Sequence, residues 1–153
     1  FRYIMLSRSV DTKFTFDIAV LKEQNDKNPV FYVQYGHARI CSIERKAEEE
    51  GWLAGGDSGE TALHYSHPSE LMLIRKIVQL PEVVELVATT LQPHHYTTYA
   101  REVTQAFSKF YEDCRIKGSE PAVIYARLQL ARAARLTLAK ALQLMGMTTP
   151  ERM

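Results

Sequence analysis

The stretch NPVFYVQYGHARI, residues 28–40, combines a strong helix start with an unusual mixture of aromatic, glycine and basic residues. Asn28 is a residue type whose side chain accepts hydrogen bonds from the free N–H groups of a first helical turn. Pro29 follows at the position where a missing N–H costs nothing. The pattern predicts a helix from Pro29 to about Glu50, ended by Gly51.

At 3.6 residues per turn this helix has two different sides. Tyr32, Tyr35 and Arg39 fall on one side, at spacings of three and four residues. The other side carries residues suited to a core, namely Val30, Val33, His37, Ile40 and Cys41. Gly36 lies between them, where glycine costs about 0.5 to 1 kcal/mol relative to alanine. That cost calls for a structural reason at Gly36, such as the close approach of another backbone.

Four more helical patterns follow, separated by proline and glycine. Apolar residues repeat at three and four positions within residues 69–80, 83–92, 93–114 and 121–145. The glycine-rich stretch 51–68 predicts a loop. Because no part of the chain offers enough period-two strands for a sheet, the sequence predicts an all-α fold, a helical bundle of about five main helices.

The first 27 residues differ from the rest. An alternation of polar and apolar residues at 13–16 predicts an extended segment, and Asp17 begins a short predicted helix that ends at Gln24. We therefore expect residues 1–27 to be a remnant of a preceding region and residues 28–153 to form the helical domain. The whole chain is expected to be a piece of a longer protein.

Charge is distributed unevenly, although the net charge is only +1. Residues 115–153 contain seven cations and two anions, a balance of +5, whereas residues 44–70 contain seven anions and two cations, a balance of −5. The C-terminal third is therefore the part better suited to bind an anion. The alternative is that both runs are solvated helix faces.

The sequence offers little for metal or covalent chemistry. No histidine stands at ligand spacing from a cysteine or carboxylate, and Cys41 and Cys114 are far apart. This usage favours buried, unreactive thiols in a reducing compartment over disulfides. No apolar run reaches the roughly 18 residues of a membrane span. These features predict a non-catalytic chain that binds no metal or cofactor.

The side with Tyr35 and Arg39 suggests RNA. Aromatic rings and guanidinium planes hold the unstacked bases of single-stranded RNA, with stacking worth about 1 to 3 kcal/mol per base. Tyrosines at helical spacing are also common as half-buried core residues. A helical protein-interaction module, whose aromatic helix face receives a partner helix, is therefore the alternative.

The run QYGHARI at 34–40 resembles the signature helix of arginyl-tRNA synthetases, class I enzymes that usually have alanine at the position of Gly36. LSRS at 6–9, LQPH at 91–94 and PERM at 150–153 also match that family's pattern. The resemblance covers nearly the whole chain. It implies the all-helical anticodon-binding domain from the C-terminal part of an arginine-tRNA ligase, which joins arginine to tRNA(Arg) using ATP and Mg.

The family's ATP-binding and adenylate-stabilising signatures, of His-Ile-Gly-His and Lys-Met-Ser-Lys-Ser type, are absent from these 153 residues. The resemblance therefore implies a cytoplasmic chain that binds tRNA(Arg) without catalysis or a cofactor of its own. Its other implied partner is the catalytic core of the parent enzyme, and the expected state is a monomer.

Carried over position by position, the resemblance assigns anticodon contacts to Tyr35 and Arg39, which stack and hydrogen-bond, and to Met153, which closes on a splayed base. Cations on the last predicted helix are candidates for phosphate contacts that carry no sequence information. These candidates are Arg127, Arg132 and Arg135. The alternative is that Arg132 and Arg135 are solvated or paired with glutamates.

Overall fold

The computed structural model describes residues 1–9, 12–13, 18–25, 27–52 and 65–153, and these contain seven helices and no strand. The helices are α1 (Arg2–Leu6), α2 (Ile18–Lys22), α3 (Pro29–Glu49), α4 (Pro68–Val78), α5 (Leu80–Thr90), α6 (His94–Asp113) and α7 (Pro121–Leu144). The five long helices, α3 to α7, confirm the all-α bundle. The short predicted helix after Asp17 is α2, whereas α1 was not predicted. The predicted extended segment at 13–16 and the loop at 51–68 lie mostly outside the described residues.

The start of α3 is fixed by one buried side chain. Asn28 Oδ1 accepts hydrogen bonds from the backbone N–H of Val30 at 3.1 Å and of Phe31 at 3.4 Å. Its Nδ2 donates to the carbonyls of Leu21 and Glu23, both at 2.9 Å. Asn28 therefore caps α3 as predicted, and it also ties the end of α2 to the beginning of α3.

The core lies between α3, α6 and α7, with α4 packed against α6. Val33, His37 and Ile40 of α3 are buried, which confirms the predicted core side of that helix. Ile40 belongs to one cluster with Phe107 and Phe110, two large buried side chains from α6, whereas Val33 packs in a second cluster with Tyr99 and Val103 of the same helix. Leu138 and Leu142 of α7 belong to the second cluster, with Val33. The bundle is thus built around α3.

Helix α1 is joined to this core. Tyr3 is buried, and its hydroxyl donates a hydrogen bond to the Thr97 carbonyl at 3.1 Å. Burial raises the pKa of Tyr3 to about 12. Arg2 donates to the carbonyl of Gly146, just beyond α7. Residues 1–6 are therefore fastened to α6 and to the end of α7, and the predicted boundary at 27/28 stays a prediction.

Gly36 is explained by a neighbour that the sequence did not reveal. A Cβ at this position would lie 2.5 Å from Thr104 Cγ2 and 3.2 Å from Thr104 Oγ1. Thr104 is buried in α6, and its hydroxyl donates to the Ala100 carbonyl at 2.9 Å. The nearest atoms at Gly36 therefore belong to a side chain of α6, and not to a backbone. A β-branched side chain fills the space above the glycine.

We expect Gly36→Ala to destabilise the chain, because overpacking costs about 1 to 3 kcal/mol whereas better helix propensity returns only about 1 kcal/mol. Adding Thr104→Ser removes Cγ2, keeps the hydroxyl and should restore stability. Urea unfolding of the single and double variants measures the effect. Equal destabilisation of Gly36→Ala in both backgrounds would contradict the steric explanation.

Glu70 joins α4 to α7 from a fully buried position. Its carboxylate accepts from the backbone N–H groups of Ser66 and His67, both at 3.0 Å, and from Arg127 Nε at 2.7 Å. Arg127 also donates to the Arg115 carbonyl at 2.6 Å. Burial alone raises the pKa of Glu70, but the hydrogen bonds from Arg127 and the backbone outweigh it and lower that pKa.

We expect Glu70→Gln to cost about 3 kcal/mol at neutral pH, because it leaves Arg127 without its anionic partner. A carboxylate with a lowered pKa stabilises the fold above its unfolded pKa of about 4.3, and that contribution is lost as pH falls through the folded pKa. The stability difference between the variant and the original chain should therefore shrink on acidification. Urea unfolding at neutral and acid pH tests this, with the exposed Glu85→Gln as control.

Candidate nucleic-acid interface

The aromatic side of α3 leaves one ring open to solvent. Tyr35 is 45% exposed, and its ring stacks on Phe31 with centroids 5.7 Å apart and planes 11° from parallel. The two residues are four positions apart, so the helix itself sets this stack. Tyr32, from the same predicted side, is instead half-buried against the core. Tyr35 is therefore the aromatic residue of this side that is free to meet a ligand.

A concavity lies beside Tyr35. Its volume is about 330 Å³, and its walls are Gln24, Asn25, Phe31, Tyr32 and Tyr35. The Asn25 side chain is held in the turn before α3, since it accepts from the Lys27 N–H at 2.9 Å and donates to Glu23 at 2.9 Å. Aromatic faces thus stand next to side-chain amides, the combination that stacks on a planar base and hydrogen-bonds to its edge.

Arg39 is held over a second aromatic ring. Its guanidinium carbon lies 5.1 Å from the ring centroid of Tyr111, on α6. Tyr111 in turn stacks on the buried Phe107, with centroids 6.1 Å apart and planes 19° from parallel. Such a cation–π contact is worth about 0.5 to 2 kcal/mol. It places the planar donor group of Arg39 at a defined position beside α6.

Tyr111 is a candidate site residue that the sequence did not reveal. Its position falls within the helical repeat predicted over residues 93–114, at helical spacing from Phe107 and next to Phe110. The sequence signal for surface exposure was its hydroxyl group. A tyrosine among buried phenylalanines often lies where one end of the side chain can reach solvent. The meeting of Tyr111 with Arg39 depends on how α3 and α6 pack.

The C-terminal segment lies along α3. Gln34 Nε2 donates to the carbonyl and hydroxyl of Thr148, both at 3.1 Å. His37 Nδ1 is 3.0 Å from the carbonyl of Pro150, which can only accept, so the ring nitrogen donates. Arg45 donates to the carbonyl of Glu151 at 3.2 Å. Residues 148–151 therefore run alongside α3, the helix that carries Tyr35 and Arg39.

Two faces of α3 are involved. Gln34, His37 and Arg45 hold the C-terminal segment, whereas Tyr35 and Arg39 lie on a neighbouring face about a third of a turn away on an ideal helix. Met153 follows two residues after the last of these hydrogen bonds and is 55% exposed. The structure thus brings the end of the chain and the predicted reading helix into one region.

The three arginines predicted as phosphate contacts have different surroundings. Arg127 is bound to Glu70, as described above, and Arg135 forms an ion pair with Glu44 at 2.8 Å. Arg132 is exposed to solvent. For Arg135 the structure therefore shows the glutamate pairing that the sequence had left open as an alternative. Of the three, Arg132 is the one whose residue is exposed, and its phosphate contact stays a prediction.

The described residues offer no site for metal or thiol chemistry. Within the described part of the chain, no group of histidine, cysteine and acidic residues is arranged to hold a metal ion. Cys41 and Cys114 are buried and form no disulfide, and burial raises the pKa of both thiols. Across these same residues, no helix combines the length and hydropathy needed to cross a membrane. The ATP-binding signatures named above are absent from these 153 residues.

Comparison with known proteins identifies a family that covers most of the chain. Residues 33–153 match the family model described as the DALR anticodon binding domain. The chain belongs to the DALR anticodon-binding domain family. Both faces of α3 described above, the C-terminal segment and Tyr111 fall within the matched residues, except that the Phe31 ring under Tyr35 precedes them.

The relatives of this DALR domain include much longer proteins. The arginine-tRNA ligase of Dehalococcoides mccartyi is 48% identical over 99% of the chain, which corresponds to 27% of the ligase. The arginine-tRNA ligase of Heliobacterium modesticaldum is 43% identical, again over 99% of the chain and 28% of the ligase. The solved structure of Thermus thermophilus arginyl-tRNA synthetase matches with 26% sequence identity and a TM-score of 0.83, over 99% of the chain and 26% of the synthetase. The chain thus spans about a quarter of the length of these relatives.

We expect Gln34→Ala to loosen the C-terminal segment of the DALR domain, because it removes both hydrogen bonds to Thr148. Carboxypeptidase should then release the final residues faster, as loosely held termini are digested first. The matched control is Ser42→Ala, at an exposed position of α3. Identical digestion rates for Gln34→Ala and the original chain would show that these bonds do not hold the segment.

Proposed function

We propose that this DALR domain binds the anticodon loop of tRNA(Arg) as the C-terminal part of an arginine-tRNA ligase. The observation that carries the proposal is the pair of stacks on α3, where Tyr35 lies on Phe31 and Arg39 lies on Tyr111. Both residues sit in the QYGHARI run. The high identity to arginine-tRNA ligases over nearly the whole chain supports the choice of tRNA(Arg).

Each member of the site has a role that follows from its chemistry. The accessible part of the Tyr35 ring stacks on an unpaired base, and the neighbouring amides of Gln24 and Asn25 hydrogen-bond to its edge. Arg39, fixed over Tyr111, donates to a second base or to its phosphate. Met153, at the exposed end of the C-terminal segment that lies beside α3, covers a splayed base with its flexible thioether side chain.

Phosphate contacts add affinity without sequence information. Among the three arginines first considered, Arg132 takes this role directly, since Arg127 and Arg135 would have to leave Glu70 and Glu44 to reach RNA. Cations bound to phosphates release counterions from the RNA, so affinity falls as salt rises. The excess of cations in residues 115–153 favours this behaviour.

The chemical reaction belongs to other parts of the ligase. Activation of arginine with ATP and Mg, and its transfer to tRNA(Arg), require residues that this chain does not contain. The domain acts as a monomeric extension of the catalytic core, in the cytoplasm where tRNA is charged. Its contribution is selection, because a correctly bound anticodon holds the rest of the tRNA within reach of the reaction centre.

We expect Arg39→Ala to weaken binding of a tRNA(Arg) anticodon stem-loop by about tenfold or more, in keeping with about 1 to 3 kcal/mol per stacked or bonded base. Tyr111→Leu, which keeps apolar contact with Phe107 but removes the ring beneath Arg39, should give a smaller loss in the same direction. Fluorescence anisotropy with labelled stem-loops, at low and at physiological salt, measures both effects.

Arg132→Ala is the matched control. It should weaken binding to cognate and unrelated loops by a similar, small factor and reduce the salt dependence, since it removes a phosphate contact. Unchanged affinity in Arg39→Ala would refute the assignment of the site. Binding without salt dependence, or equal binding to loops with unrelated anticodons, would favour the protein-interaction alternative.

A further inference from the structure

A cavity lies between α3 and α7, on the side of α3 that faces away from Tyr35 and Arg39. Its volume is about 190 Å³, and its lining residues are Glu44, Ala47, Glu48, Leu128, Gln129, Arg132 and Arg135. On an ideal helix Glu44 stands about 140° around the axis from Arg39 and about 180° from Tyr35. The cavity is therefore separate from the part of the nucleic-acid interface that Tyr35 and Arg39 form.

The two walls of this α3–α7 cavity carry opposite charges. Helix α3 supplies Glu44 and Glu48, which are one turn apart, and α7 supplies Arg132 and Arg135, also one turn apart. When all four side chains are ionised, the lining is neutral in total but polarised from one wall to the other. Such a lining is complementary to a ligand that has a positive group at one end and a negative group at the other.

The deeper pair of charges leaves two polar atoms without a hydrogen bond. Arg135 Nε lies 2.8 Å from Glu44 Oε2, but its N–H is not directed at that oxygen, so this donor has no hydrogen-bond partner among the described residues. Glu44 Oε1 is likewise inaccessible to solvent and has no partner there. Because unpaired buried polar atoms are costly, a ligand gains by supplying a donor to Oε1 and an acceptor to Nε.

The outer pair of charges is available to a ligand. Arg132 and Glu48 are both exposed, and they line the same cavity. Neither forms an ion pair or a hydrogen bond with another side chain in the described part of the chain. A guanidinium and a carboxylate thus stand on opposite walls with room between them.

We propose that the α3–α7 cavity is a binding site for a free basic amino acid. The ligand's carboxylate accepts hydrogen bonds from Arg132 and from Nε of Arg135. Its side-chain cation donates to Glu48 and to Oε1 of Glu44. The inference goes beyond anticodon binding and requires no RNA contact at Tyr35.

The size and the apolar part of the lining narrow the choice of ligand. The cavity is smaller than the roughly 300 Å³ at which pockets for drug-sized molecules begin, so it suits a molecule of amino-acid size. Ala47 and Leu128, both buried, offer carbon surface to the methylene groups of a side chain. A simple anion or a metal ion would match one wall and be repelled by the other. A guanidinium fits better than an ammonium, because its planar fork forms two parallel bonds to a carboxylate.

The electrostatics of Glu44 agree with a cation at Oε1. Burial raises the pKa of Glu44, and Arg135 and Arg132 oppose this effect without overcoming it. The negative charge of Glu48 raises the pKa further. A cation bound between the two carboxylates would stabilise their ionised forms.

Titration of the 153-residue chain with arginine, followed by NMR of the backbone amides, tests the proposal. The chain is used without RNA and without the rest of a ligase, which would bind arginine at its own reaction centre. Saturable shifts should appear in residues 44–48 and 128–135. Agmatine lacks the carboxylate and citrulline has a neutral group in place of the guanidinium, so each should bind at least about tenfold more weakly. No saturable shift, shifts confined to other residues, or equal affinity for citrulline or agmatine would overturn the proposal.

A charge-removing variant provides the second measurement. Glu48→Gln keeps the shape of an exposed side chain and should weaken arginine binding by about tenfold, since it removes one charged acceptor. The matched control is Glu49→Gln, at an exposed neighbouring position outside the cavity, and it should leave the affinity unchanged. Equal effects of the two substitutions would show a general charge effect and refute the site. Arg132 is also the proposed phosphate contact, but with no RNA present the outcome is independent of the anticodon assignment.

Discussion

The close packing of α3 against α6 is the contact on which the other features depend. At Gly36 the absence of a side chain lets Thr104 of α6 come within a distance that no Cβ would permit. One turn further along α3, Arg39 lies over Tyr111 of the same partner helix. The spacing between the helices therefore sets the position of the guanidinium. The Gly36–Thr104 contact in the core therefore helps to determine where the Arg39 guanidinium lies.

Helix α3 has a structural or predicted binding role on three of its sides. One side enters the core through Val33, His37 and Ile40, a second holds the C-terminal segment, and a third presents Tyr35 and Arg39. His37 takes part in two of them, since it is buried and also binds the Pro150 carbonyl. Because α3 has contacts on several sides, it has little freedom to rotate or shift. This rigidity suits a surface that presents fixed groups to a flexible RNA loop.

The fold was largely accessible from the sequence because its signals are local. The cap at Asn28, the prolines that begin helices and the periodic apolar residues each act within a few positions, and they predicted the five long helices. The site was only partly accessible. Tyr35 is exposed as expected, but the partner of Arg39 lies on another helix, and the partner of Arg127 is 57 residues away. Contacts between distant positions depend on packing angles that composition and spacing do not encode.

The hydrogen bonds that hold the C-terminal segment have an evolutionary consequence. Gln34, His37 and Arg45 all donate to main-chain carbonyls, at residues 148, 150 and 151, and only one bond involves a side chain of the segment, the Thr148 hydroxyl. Substitutions in the segment therefore leave most of these bonds intact, whereas an inserted or deleted residue would change which carbonyls meet α3. Selection on this segment should act on its length more strongly than on its composition.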